Sequence, residues 1–146
     1  MKDKFYNGLL YGVLAGVILN IFNLVSYYFD VISLRYLDWM AILLYGTKPY
    51  NALDGGFALL MQIGLCGILG VLFVYILPVI GFEHHSIKGM VFGLSVFQTT
   101  YIVTTLFRVP ELVYIPPYTA MGNSLGSALF GAILAVLIKK RVYKKV

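Results

Sequence analysis

The sequence predicts an all-α integral membrane bundle of four transmembrane helices. They form two parallel helix–loop–helix pseudo-repeats, with a short interfacial or re-entrant helix after the first span. Three observations carry this reading. Sixty per cent of the 146 residues are hydrophobic and only 12% are charged, whereas a soluble domain is about half apolar and about a quarter charged. The mean hydropathy is +0.87. Four apolar runs come close to or exceed the roughly 20 helical residues needed to cross the hydrocarbon core. Together these exclude a soluble globular domain, a disordered chain and a coiled coil, and they give one membrane domain over residues 1–146.

The first span runs from about Phe5 to Phe29. Its apolar stretch exceeds the roughly 7–15 residues of a signal peptide, and no A-x-A site follows. The next apolar segment, Leu34 to Tyr45, reaches only about 18 Å at about 1.5 Å per residue, short of a core about 30 Å thick. It is therefore interfacial or re-entrant, with Trp39 and its tyrosines expected at headgroup level. The second span runs from about Gly55 to Leu77 and stops at Pro78. Asn51 is its expected cap, and Asp54 stands where a capping-box acid belongs. The third runs from about Ile87 to Phe107, and the fourth from about Thr119 to Ile138. Pro116 and Pro117 precede the fourth, where the missing N–H does no harm.

Four spans put both termini on one side of the membrane. That side carries Lys2, Lys4, Lys88, Lys139, Lys140, Arg141, Lys144 and Lys145, and the other side only Arg35, Lys48 and Arg108. The bias predicts cytoplasmic termini in a multi-pass protein. It also explains the net charge of +5 without nucleic acid. The compact chain, lacking a glycosylation acceptor and a cleaved signal, points to the prokaryotic inner membrane.

An internal repeat is expected, with halves at residues 5–80 and 87–139. Gly8-Leu-Leu-Tyr-Gly12 resembles Gly89-Met-Val-Phe-Gly93. Leu34-Arg35-x-x-Asp38 resembles Phe107-Arg108-x-x-Glu111, and Pro49-Tyr50-x-Ala52-Leu53 resembles Pro117-Tyr118-x-Ala120-Met121. Because each half crosses the membrane twice, the repeat is parallel, about an axis along the membrane normal.

Membrane helices associate through small residues and through polar side chains that bond across the interface. Gly8, Gly12 and Gly16 share a face with Asn20 and Asn23. Gly89 and Gly93 share one with Thr100 and Thr104. Gln62 follows Asp54 and Ala58 at every fourth position, and Gly122, Asn123 and Gly126 line the fourth span. The glycines are the expected packing positions. Asn20, Asn23, Gln62, Thr104 and Asn123 gather toward the outer leaflet, as helix-bridging amides and hydroxyls or as the lining of an outward-facing polar pocket. Arg35 with Asp38, and Arg108 with Glu111, are expected outer ion pairs at the mouth of that cluster.

Catalytic motifs are absent from the sequence: no Gly-x-Ser-x-Gly, no His-Glu-x-x-His and no phosphate-cradling loop. Neither a metal nor a cofactor is expected. Cys66, the single cysteine, reads as a small packed residue. His84 and His85 read as a solvated turn. The basic C-terminal run could also hold anionic lipid.

Gly89-Met-Val-Phe-Gly93-Leu and Gly122-Asn-Ser-Leu-Gly126-Ser-Ala-Leu-Phe-Gly131 resemble the YqhR-type bacterial four-helix membrane proteins. The resemblance covers the spans and implies no site. The leading functional expectation is a non-enzymatic subunit or accessory component that packs through its glycine faces, with itself or within a larger complex, among membrane lipids. The alternative is a small transporter or channel for a polar solute or ion. A third reading, an enzyme acting on lipid, finds no nucleophile–base set in the sequence.

Overall fold

A computed structural model describes residues 3–143. Its elements are α1 (Lys4–Tyr28), α2 (Tyr36–Tyr45), α3 (Ala52–Ile80), α4 (His85–Leu106) and α5 (Pro117–Arg141). The fold is the predicted all-helical bundle: α1, α3, α4 and α5 are long and apolar enough to span a membrane, and α2 is the short segment.

Each boundary has a local cause. The Asp3 carboxylate accepts the Tyr6 N–H at 3.0 Å and starts α1. Asn51 Oδ1 accepts the Asp54 N–H at 2.9 Å and starts α3, as its sequence predicts. At the end of α1, Asp30 turns left-handed (φ 55) and the Val31 N–H reaches back to the Ser26 carbonyl at 2.9 Å. α4 ends the same way, with Arg108 left-handed (φ 48) and the Val109 N–H on the Thr104 carbonyl at 2.9 Å. The Lys88 ammonium donates to the Ile80 and Gly81 carbonyls at 2.6 and 3.1 Å. Those carbonyls lack helical partners, and a cation there also suits the helix dipole.

α3 does not stop at Pro78 but continues to Ile80. Proline lacks the N–H that would bond the Val74 carbonyl four residues back. The Tyr143 hydroxyl donates to that carbonyl instead, at 2.8 Å. In hydrocarbon a freed carbonyl must find a partner within the protein, and this one makes the proline tolerable.

The chain forms two antiparallel hairpins through glycine. α1 crosses α3 where a methyl group on Gly8 would lie 2.8 Å from Val71 Cα, and one on Gly12 would lie 2.9 Å from Gly67 Cα. α4 crosses α5 where a methyl group on Gly89 would lie 2.6 Å from Ala135 Cβ, and one on Gly93 would lie 2.9 Å from the Ser127 carbonyl carbon. Ordinary carbon contacts sit at about 3.5–4.0 Å, so only glycine permits these approaches. Gly67, Gly70 and Gly131 supply the opposing backbone. Gly16 meets the Cys66 side chain. Gly126 packs against Tyr36 and Leu19 rather than backbone, and Gly122 touches only Ile32 of the connecting loop.

The hairpins meet along α1 and α5. α3 and α4 diverge, joined by a Phe73–Phe92 ring contact at 4.9 Å, and α2 packs into the gap between them. This corrects the expected placement of Trp39 at headgroup level. Trp39 is buried, with its ring 6.2 Å from Phe97 and 6.4 Å from Tyr101 of α4. At about 1.5 Å per residue, Phe97 lies about 13 Å below the end of α4, so α2 reaches down into the bundle. One apolar core (Ala15, Phe73, Leu77, Leu134, Ile138) fills the half near the termini. A second (Leu34, Trp39, Ile42, Leu112, Ile115) seals the loop end.

Candidate functional site

The polar side chains predicted to cluster divide into two networks and one outlier. In the first, Asn20 Nδ2 donates to the Gly16 carbonyl at 2.8 Å and to Gln62 Oε1 across the α1–α3 interface. Gln62 Nε2 in turn donates to Cys66 Sγ at 3.4 Å. The second joins α1, α2 and α5. Asn23 Nδ2 donates to Asn123 Oδ1, and Asn23 Oδ1 accepts the Tyr36 N–H, both at 2.9 Å. Asn123 Nδ2 donates to the Leu34 carbonyl at 3.2 Å. The Tyr36 hydroxyl donates to the Asn123 carbonyl and lies 2.8 Å from Ser127 Oγ.

Thr104 joins neither network. It is buried, but its hydroxyl donates within α4, to the Thr100 and Tyr101 carbonyls at 3.0 Å each. Threonine in a helix can satisfy itself this way, whereas an amide needs partners beyond its own turn. Hence the amides come together and the hydroxyl does not.

The networks do not form an outward-facing polar pocket. Asn20, Asn23, Gln62 and Asn123 are all buried and bond one another. Thr119 completes this layer: its Oγ1 accepts the Ser33 N–H at 2.9 Å and ties the first loop to α5. The Tyr36, Thr119 and Ser33 hydroxyls carried no such signal in the sequence, because their partners are 86 or more residues away.

The two expected ion pairs fare differently. Arg35 and Asp38 pair at 2.8 Å, and the Asp38 carboxylate also accepts the Arg35 backbone N–H at 2.8 Å at the start of α2. The hydrogen bond to Asp38 holds the guanidinium above its ordinary range. The same guanidinium lies 4.6 Å from the Tyr27 ring centre. Arg108 and Glu111 are both exposed and left-handed, and they form no ion pair among the described residues. Arg108 corresponds structurally to Asp30, the residue that ends α1, and not to Arg35. Likewise, matching Gly70 to Gly131 at the two crossings sets Pro110, not Pro117, against Pro49.

An open cavity of about 100 Å³ lies beside these networks. It is lined by Trp39 and Leu43 of α2, Gln62 and Leu65 of α3, Val96 and Thr100 of α4, and Ser127 of α5, among others. It lies in the α3–α4 gap beneath α2. The walls are mostly apolar.

On α4 the outward face carries Ser95, Gln98 and Thr99, all exposed. The hydroxyls of Ser95 and Thr99 donate to their own helix at 2.8 Å. Gln98 has no hydrogen-bond partner among the described residues. Compared with family models, curated proteins and solved structures, the chain matches none.

Proposed function

We propose that this multi-pass membrane protein is a non-enzymatic subunit that assembles with a second copy of itself through the outward face of α4. The observation that carries this is Gln98. It lies about 12 Å from the loop end of α4 at about 1.5 Å per residue, within the depth that hydrocarbon occupies. An unpaired amide facing lipid is unfavourable. An amide both donates and accepts, so the same residue on a symmetry-related copy satisfies it in an isologous contact. α4 is also the least covered span, with 17% of its apolar window buried against 50% for α5.

The glycine faces are not the assembly surface on this reading, because Gly8, Gly12, Gly89 and Gly93 are occupied within their own hairpins and Gly122 and Gly126 meet residues of the first half. A path for a polar solute is disfavoured, because the amides that would line it bond one another and the α3–α4 cavity is apolar. The partition of basic residues supports cytoplasmic termini in a prokaryotic inner membrane. Duplication of an ancestral hairpin is supported by the four-residue spacing of Gly8 with Gly12 and Gly89 with Gly93, by their matching crossings, and by the shared ends of α1 and α4.

The test is the stoichiometry of labelled protein in bilayers, read by single-molecule photobleaching. Wild type is expected as dimers, and Gln98→Leu as monomers with an unchanged thermal transition. Monomeric wild type, or dimers of Gln98→Leu as stable as wild type, overturns the proposal.

A further inference from the structure

At the end of the bundle that holds the termini, two lysines from different helices fold back onto one turn. Lys88 of α4 donates to the Ile80 and Gly81 carbonyls at 2.6 and 3.1 Å, and Lys139 of α5 donates to the next carbonyl, that of Phe82, at 3.4 Å. His85 lies close enough to Lys139 to feel its charge. Lys4 Nζ of α1 stands over the Tyr143 ring, 5.6 Å from its centre, and that ring meets Phe82 at 4.9 Å. Orientation in a membrane requires only that lysines lie on one side. It does not require those of α4 and α5 to converge.

The positive charge there is not balanced within the protein. Glu83, the acid of this turn, is exposed, and neither it nor Lys88 nor Lys139 forms an ion pair among the described residues. An ammonium carries three donors. Lys88 spends two on the turn and Lys139 one, so one donor of the first and two of the second have no acceptor among the described residues. The carbonyls already hold both side chains, which therefore lose little further freedom on meeting an anion. The neighbouring surface is aliphatic: Val79, Ile80, Ile87 and Val136, all within one helical turn of the cluster, are exposed. Cations beside exposed aliphatic surface, at the level where spans end, match a molecule that carries both an anionic group and acyl chains.

We infer that the turn between α3 and α4, with Lys88 and Lys139, is a binding site for the headgroup phosphate of an anionic phospholipid. The phosphate oxygens accept from the ammonium donors that the turn leaves unused, and the acyl chains lie against the exposed aliphatic residues. Basic pockets between helix ends hold anionic headgroups in this way. A lipid fits better than a free phosphate ion, which has nothing to place on the aliphatic surface. The site does not rest on the α4 dimer, since Gln98 lies about 15 Å further along the helix from Lys88 at about 1.5 Å per residue.

Native mass spectrometry of the intact protein in detergent, titrated with phosphatidylglycerol and with phosphatidylcholine of the same acyl chains, reads the preference. A lysine at a membrane surface contributes about fivefold, so wild type is expected to bind one phosphatidylglycerol per chain about 25-fold more tightly than phosphatidylcholine. Lys139→Gln should lower that preference about fivefold, and Lys88→Gln combined with Lys139→Gln should abolish it. Lys88 also caps α3, so the single Lys139 variant decides if the double variant loses its helical circular dichroism. Lys88→Arg with Lys139→Arg keeps the charge and should keep the preference. Lys48→Gln with Arg108→Gln removes the same charge from the opposite end and should change nothing. Inorganic phosphate in millimolar excess should not displace the lipid. Equal affinity of wild type for the two lipids overturns the inference. So does a preference that survives Lys139→Gln undiminished, falls as far when Lys48 and Arg108 are replaced, or yields to inorganic phosphate.

Discussion

Asn23 and Tyr143 show how a single polar group is handled where water is absent. The Asn23 amide uses its donor on Asn123 and its acceptor on the Tyr36 N–H. It thereby links three helices from one position. Tyr143 does the complementary task, supplying a donor to the carbonyl that Pro78 leaves bare. Tyr143→Phe is expected to destabilise the fold by about 1 kcal/mol, the usual net value of such a bond. In a Pro78→Ala background the loss should be much smaller, because alanine restores the N–H. Unfolding by denaturing detergent, followed by circular dichroism on the four combinations, checks this. Additive losses would show that Tyr143 acts elsewhere.

Between helices, the glycines decide how closely axes approach. Gly131 sits against the Gly89 backbone so tightly that a methyl group would overlap the Gly89 carbonyl, whereas Gly64 has nothing within 4 Å. Both are helical glycines in apolar spans, so propensity treats them alike. Gly131→Ala is expected to lose about 1–3 kcal/mol through overpacking of two backbones. Gly64→Ala should gain about 0.5–1 kcal/mol, because alanine restricts the unfolded chain and favours the helix. Thermal transitions of the two variants in the same detergent are the measurement. Equal shifts would mean that the α4–α5 crossing is looser than its geometry. The same logic explains why glycine spacing was legible in the sequence while the partner of each glycine was not. Gly8 and Gly12 announce a flat helix face, but that face could meet another chain as readily as α3.

Across the whole molecule, α1, α3, α4 and α5 form an open arc, with α1 and α5 at its centre and α2 closing the far gap. The ends differ in charge. The termini and the turn at Glu83 lie at one end, and Lys48 and Glu111 at the other. A cysteine at Lys48 or Glu111, both exposed, is expected to react with an impermeant maleimide added to intact cells. One at Glu83 should react only after permeabilisation. The native thiol adds no background, because Cys66 is 3% exposed. Labelling of Glu83→Cys in intact cells would reverse the orientation assigned from the basic residues.

Span number and the common side of the termini were determined by the sequence alone, whereas the end of the second span was not, since α3 runs through Pro78 to Ile80. Number and side depend on run length and apolarity, which are local properties measured against a slab of known thickness. The cap at Asn51 and the proline start of the last span were legible for the same reason, since a helix start is set within a few residues. Tertiary structure alone decided that the amides close on one another and that Trp39 is buried in a gap. Each of these depends on which helices are neighbours, and hydrophobicity says nothing about neighbours when lipid is as apolar as leucine. The pairing of Asn23 with Asn123, 100 residues apart, arises only once the glycine crossings have set the two hairpins side by side.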